Sequence, residues 1–395
     1  MDQETFIKQY SVERRQTDSL KWDALAERFG DPELLPLWVA DMEFSVPETV
    51  KKALNERIAH GVFGYSAVTS GYFEAYQGWQ QRHEGTAFQK EWLHFSTGVV
   101  QSLYDLIDCF TEVGDGVIIQ PPVYYPFFNA IKDKKRRLVT SDLVLREGRY
   151  VMDLADFEAK VIAEQPKLFI LCSPHNPVGR VWEEAELAAV LAICEKYQLL
   201  VISDEIHSDL ILPGKTFCSS VTVDAGHFLE RLIVVNAPSK TFNLASLLNS
   251  HIWIANARLR EQYQAWAQVN RQTEYSLLGQ LAAKTAYETG DEWVQALLEV
   301  ITDNYQRIKT RLAVELPQIV VAELEGTYLL WLDIRAYVDE AQVKAVVQDE
   351  AKLAIDFGEW FSPAAKGFIR INLATTPQRI EQAVDQLIAA IQKQF

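Results

Sequence analysis

Between about residues 95 and 256, short apolar runs alternate with stretches whose apolar residues recur every three or four positions. That alternation predicts strands joined by crossover helices. Five runs have strand length and an apolar interior: Gly116-Val117-Ile118-Ile119-Gln120, Lys167-Leu168-Phe169-Ile170-Leu171-Cys172, Leu199-Leu200-Val201-Ile202-Ser203, Leu232-Ile233-Val234-Val235-Asn236 and His251-Ile252-Trp253-Ile254. Runs of this kind suit a sheet covered on both faces. Residues 102–111, 154–164 and 183–197 carry the helical spacing between them. The pattern predicts an α/β unit with a mostly parallel sheet. Beyond about residue 285 the texture changes to a charged helix, a strand-like segment 326–332, a second strand at 368–372 and a final amphipathic helix. The expected division is a large domain of residues 46–284 and a smaller α+β domain made of 1–45 with 285–395.

Composition narrows the partners. With 38 basic against 54 acidic residues the net charge is −16, the wrong sign for a phosphate backbone, so no nucleic acid is expected. Residues 1–16 mix charges and hold no apolar core, so neither a signal peptide nor a membrane span is expected, and a cytoplasmic setting follows. Cys109, Cys172, Cys194 and Cys218 lack C-x-x-C spacing and read as small core residues. No metal motif, P-loop, dinucleotide fingerprint or nucleophile elbow is present, so no metal is expected.

In an open α/β sheet, ligands bind beyond the carboxyl ends of the strands. Three of the runs end in polar clusters. Ser173-Pro174-His175-Asn176-Pro177-Val178-Gly179-Arg180 is a turn stiffened by proline that presents the Asn176 amide, or an ordinary loop. Asp204-Glu205-Ile206-His207 puts a carboxylate at the mouth of an apolar strand, where it either faces a cation or caps a helix. Ala237-Pro238-Ser239-Lys240-Thr241-Phe242-Asn243 puts a lysine where desolvation favours the neutral amine, unless it is a surface lysine. Pyridoxal phosphate needs an amine for its aldehyde, an acid for its ring nitrogen and a donor for its phenolic oxygen, and Lys240, Asp204 and Asn176 would supply them. Ser96-Thr97-Gly98-Val99-Val100 opens a helix, where free N–H groups suit its phosphate.

The ordered set resembles the fold-type-I pyridoxal-phosphate enzymes, which have the aspartate aminotransferase fold, and within them the MalY/PatB-like cystathionine β-lyases. The strings that carry the likeness are residues 36–44 (PLWVADMEF), Phe63-Gly64-Tyr65-Ser66, Pro122-Val123-Tyr124-Tyr125, the Ser173 and Ser203 clusters and Ser239-Lys240-Thr241-Phe242-Asn243. The resemblance implies that Lys240 carries the cofactor and Asp204 pairs with the ring nitrogen. By the same likeness Asn176 and His207 attend the phenolic oxygen, Tyr124 stacks on the ring, and Gly98, Val99 and Ser239 hold the phosphate. It further implies a homodimer in which Tyr65 enters the neighbouring site, and an Arg370 clamp, with Asn176, for the substrate's α-carboxylate. Two positions depart from the wider pattern. Ala237 and Leu248 stand where a serine and a basic residue are often found, which removes two phosphate contacts and leaves Tyr65, Ser239 and backbone amides, with His251 as a further candidate.

The reaction implied is α,β-elimination of L-cystathionine or cysteine S-conjugates to a thiol, pyruvate and ammonia. Transamination shares the early steps, and residue spacing does not separate the two. A cofactor-binding regulator is the reading from another class; the retained Lys240, Asp204 and Arg370 speak against it. Trp360 and Phe361 either line the entrance or pack in the core, and the segments 1–30 and 355–366 are expected as entrance loops.

Overall fold

A seven-stranded sheet forms the centre of the molecule, which is a computed structural model describing residues 1–146 and 148–394. In chain order its strands are β1 (Leu93–Ser96), β2 (Gly116–Ile119), β3 (Arg137–Thr140), β4 (Leu168–Cys172), β5 (Leu200–Asp204), β6 (Leu232–Asn236) and β7 (Ser250–Ile254). Their spatial order is β1-β7-β6-β5-β4-β2-β3. Only β7 runs against the others, pairing antiparallel with both β1 and β6. The five apolar runs are the five interior strands, and every residue of β2, β4, β6 and β7 is buried. Each fully buried Val, Leu or Ile contributes about 1.5–3 kcal/mol, which makes this sheet a rigid platform for whatever sits at its ends.

Two strands escape the apolar pattern, and they are the two edges. Leu93-His94-Phe95-Ser96 is only half-buried, and Arg137-Leu138-Val139-Thr140 begins on an exposed arginine. An edge strand is covered on fewer sides and tolerates polar residues that an interior strand does not.

The helix after β1 runs Val99–Phe110, three residues earlier than its apolar spacing predicts, and Gly98 is its N-cap. Val99, Leu103, Leu106 and Ile107 bury one face against the sheet. The helices Leu154–Glu164 and Glu184–Lys196 fall where expected, the second held at its start by reciprocal Glu183 and Glu186 bonds to backbone N–H groups.

A second sheet of four strands, β8 (Val320–Val321), β9 (Leu329–Asp333), β10 (Asp356–Phe357) and β11 (Phe368–Asn372), has the order β8-β9-β11-β10 and is antiparallel. The strand expected at 326–332 begins at Leu329 instead. Gly326 bridges to Ile211 and Thr327 has φ 69°, so the chain turns there before pairing starts. The C-terminal helix Pro377–Gln392 is capped by the Thr376 hydroxyl and buries Ile380, Val384, Leu387 and Ile391.

Residues 1–30 are not an open loop. They form helices Gln3–Tyr10, Leu20–Asp23 and Leu25–Phe29, because Phe6, Tyr10, Trp22 and Leu25 find apolar cover. Phe6 packs edge-on to Trp293 of the long helix Asp291–Glu315, and Leu35 and Pro36 pair in parallel with Leu353 and Ala354. The 355–366 segment holds β10 and two short 3-10 turns, with Phe361 fully buried and Trp360 half-buried.

Candidate active site

The carboxyl ends of β4, β5 and β6 open onto one cavity of about 170 Å³. Its walls include Gly98, Val99, Tyr124, Asn176, Asp204, His207, Ser239 and Lys240, so one chamber gathers eight residues singled out from the three polar clusters, the helix start and the Pro122–Tyr125 string. Thr97, Val100, Cys172, Ala245 and Asn249 also line it and were not expected as wall.

Asp204 is the last residue of β5 and is almost wholly buried. Its Oδ1 accepts one bond, 3.1 Å from the Ile206 amide, and among the described residues no cation lies within ion-pair distance. Burial raises its pKa to about 7, opposed by the Ile206 N–H and by the charge of Lys240. An acid this deep is costly to ionise without a cation, so the site has room for a positively charged partner.

Lys240 lies in the short helix Pro238–Thr241, separated from the end of β6 only by its N-cap, Ala237. Its pKa is lowered to about 8, by burial first and then by Arg370, while Asp41 and Asp204 pull it upward. Nζ donates to the Ala40 carbonyl at 2.8 Å, and the Tyr328 hydroxyl donates to the same oxygen at 2.8 Å. The turn itself is pinned where Thr241 Oγ1 donates to the half-buried Asp209 carboxylate at 2.6 Å.

Arg370 sits on β11, buried, with its guanidinium 4.8 Å from the Phe361 ring centre. Nη1 donates to Asn176 Oδ1 at 2.8 Å, and Nη2 donates to the Trp38 carbonyl at 3.1 Å and to the Asp356 carboxylate. Taking up Oδ1 leaves the Asn176 amide nitrogen free to donate into the cavity. Asp356 is itself buried, and its pKa is raised to about 6 by burial against the pull of Arg370 and Arg28. His207 is buried with Nδ1 unpartnered, and burial, Lys240 and Arg370 all hold it well below its usual pKa, so the ring is neutral.

Two further candidates lie off this chamber. His251 is buried against Tyr72 (2.6 Å) and Asn236 (2.8 Å), so it is spent on an internal network rather than facing the cavity. Tyr65 stands fully exposed in an open cleft with Phe63, Leu248 and Tyr275.

The sequence string 36–44 turns out to be a strap held by side chains. Asn372 Nδ2 bonds the carbonyls of Val39 (2.6 Å) and Asp41 (2.7 Å), and Asn243 bonds the backbone of Met42 and Phe44 at 3.1 Å. With Arg370 on Trp38 and Lys240 on Ala40, the strap ties the lysine turn to β11. Asn243 ended a quoted motif and Asn372 an expected strand, but neither had an expected role.

The match to known proteins now has a site to rest on. Residues 32–387 match the family model described as aminotransferase class I and II. The chain belongs to that family. Cystathionine beta-lyase PatB of Bacillus subtilis (strain 168) is 35% identical over 380 residues, covering 96% of this chain and 98% of that protein. Protein MalY of Escherichia coli (strain K12) is 32% identical, covering 96% and 97%. Among solved structures, the PLP-bound C-S lyase from Staphylococcus hominis superimposes with a TM-score of 0.90 at 33% identity, covering 96% of each chain. The aminotransferase fold and the PatB and MalY branch expected from the motifs are therefore the fold and branch of this class I and II aminotransferase family member.

The chamber fits the cofactor named in that structure. An acid lacking a cation suits a protonated ring nitrogen, and a buried amine suits an aldehyde. A free Asn176 amide suits a phenolate, and uncommitted N–H groups at the start of Val99–Phe110 suit a phosphate. Among the described residues no cluster could hold a metal ion, and no helix is long and apolar enough to cross a membrane.

Proposed function

We propose that this chain is a pyridoxal-phosphate-dependent carbon–sulfur β-lyase. It would take L-cystathionine or another cysteine S-conjugate, with one water, to a thiol, pyruvate and ammonia. The observation that carries the proposal is the shared chamber of a lysine whose pKa is lowered to about 8 and a buried aspartate without a cation. The names of PatB and the Staphylococcus hominis enzyme support the choice of reaction.

When bound, the cofactor supplies an electron sink for the pair left on the substrate's α-carbon. Lys240 would be the attachment point and, as a free amine, the base that takes the substrate's α-proton, a role suited by a pKa near working pH. Asp204 would hold a proton on the ring nitrogen. Tyr124 would pack against the ring, and Asn176 and the neutral His207 would attend the phenolic oxygen. Gly98 and Val99 amides with the Ser239 hydroxyl would hold the phosphate. Arg370 and Asn176 grip the α-carboxylate, which fixes the Cα–H bond relative to Lys240. With the proton removed, the Cβ–S bond breaks and its electron pair leaves on sulfur.

The site is completed by a second copy in this reading. Tyr65, Phe63, Leu248 and Tyr275 are exposed and share one cleft, an apolar surface of the sort that marks an interface. A homodimer would carry Tyr65 to the partner's phosphate and offset the contacts missing at Ala237 and Leu248. The division that goes with it is a cofactor-binding unit of 46–284 and an embracing unit of 1–45 with 285–395.

Transamination is the second reading, favoured by the family's name and by the likeness to a PLP-bound putative aminotransferase from Clostridium difficile 630, with a TM-score of 0.93 at 33% identity. Pyruvate formed from L-cystathionine without a keto-acid acceptor supports the lyase. Glutamate formed stoichiometrically from 2-oxoglutarate, with no pyruvate, overturns it in favour of transamination. Cofactor binding with neither product would point to the regulator.

A further inference from the structure

From the chamber wall at Tyr124 a run of aromatic contacts leads outward to a lone cation. Tyr124 touches Tyr125 with ring centres 5.4 Å apart, and Tyr125 meets Trp360 edge-on at 6.3 Å and Phe361 at 5.9 Å. The Arg28 guanidinium then lies 5.3 Å from the Trp360 ring and 5.7 Å from the Trp38 ring. Both tryptophans belong to the surroundings of Arg370: the Trp38 carbonyl accepts from its Nη2, and Trp360 precedes the Phe361 ring on which its guanidinium rests.

The Arg28 side chain is exposed and, among the described residues, makes no ion pair and no hydrogen bond, although Asp31, three residues on, pairs with Lys352. Its charge is felt at both Tyr125 and Asp356, so it stands close to the clamp. An exposed guanidinium within cation–π distance of two indoles can offer its forked donors to a carboxylate in bidentate fashion. Two cations would then recognise two carboxylates. Arg370 takes the one on the α-carbon, and Arg28 takes one further along the substrate.

We propose that Arg28, seated between Trp38 and Trp360, is a specificity-determining residue that selects cysteine S-conjugates whose thiol portion ends in a carboxylate. The proposal rests on the lyase reading for the identity of the substrate, but not for the preference itself. The half-buried Tyr125 and Trp360 rings and a solvent-facing cation make a distal site that accepts a methylene chain along its walls and an anion at its end.

The test uses the holoenzyme and length-matched pairs. S-(2-carboxyethyl)-L-cysteine and S-propyl-L-cysteine report turnover, and the non-cleavable L-2-aminopimelate and L-2-aminoheptanoate report binding by calorimetry. Arg28→Ala is expected to raise KM for the carboxylate substrate and weaken aminopimelate by about fivefold, as an exposed charge pair allows. The propyl substrate and aminoheptanoate should change by less than about twofold. Arg28→Lys should restore part of the preference, and added salt should erode it in the wild type. Equal losses for both members of each pair, or no loss for either, would overturn the assignment. If the wild type cleaves neither substrate, the lyase reading fails, while the calorimetric pair still decides whether Arg28 prefers a distal carboxylate.

Discussion

Arg370 holds Asn176 by its carbonyl oxygen: Nη1 donates to Oδ1 across 2.8 Å, joining the small sheet to the turn after β4. A charge-assisted bond of this kind orients the amide so that its nitrogen, not its oxygen, faces the chamber. Asn176→Ala should lower kcat/KM by about tenfold to a hundredfold, corresponding to about 1.5–3 kcal/mol for a bond to a charged group. Steady-state kinetics on the folded variant checks it, and an unchanged kcat/KM would remove Asn176 from the site.

The same guanidinium depends on Asp356. Removing one partner of a buried ion pair leaves the other charge unpaired, at a cost of about 3–5 kcal/mol. Asp356→Ala should therefore show a lowered urea midpoint together with a raised KM, because Arg370 loses the group that aims it. A variant as stable as the wild type would show that Arg370 is held by Asn176 and Trp38 alone.

Asp204 gives a pH signature. Without cofactor, its pKa is about 7 in the folded chain against an ordinary 3.8, so the folded state keeps a proton that the unfolded chain has lost. The stability it contributes is complete below about pH 4 and is lost as pH rises through about 7. Asp204→Asn should flatten the fall in melting temperature across that window, and saturating cofactor should flatten it in the wild type by giving the carboxylate a cation. Parallel slopes for wild type and variant would count against a buried acid here.

Tyr65 is tested by mixing. Tyr65→Ala and Lys240→Ala should each be nearly inactive as homodimers, yet co-refolded chains should regain activity, since one of the two sites in a mixed dimer has both residues. If the mixture stays inactive, Tyr65 does not serve its partner.

The interior of the fold was legible because interior strands are apolar on both faces, as β2, β4, β5, β6 and β7 are. The edge strands β1 and β3 were not, since His94, Ser96 and Arg137 break the run where the sheet meets solvent. The residues at the chamber were legible where polar side chains follow an apolar run directly, as Asp204 and Asn176 do. Their supports were not. Tyr328 and Asn372 meet the 36–44 strap from 288 and 331 residues away, Asp356 acts only through Arg370, and Ala40 acts through its carbonyl, for which no residue type codes. Arg28 had no expected role, because the rings it approaches, Trp38 and Trp360, come from other segments of the chain.

The central claim is that one particular amine holds the cofactor. Borohydride reduction of the yellow holoprotein, followed by peptide mass mapping, tests it most directly. The account predicts a single phosphopyridoxyl adduct on the peptide containing Lys240, and no adduct in Lys240→Ala. An adduct on a different lysine, or a visible band that survives in Lys240→Ala, would contradict it.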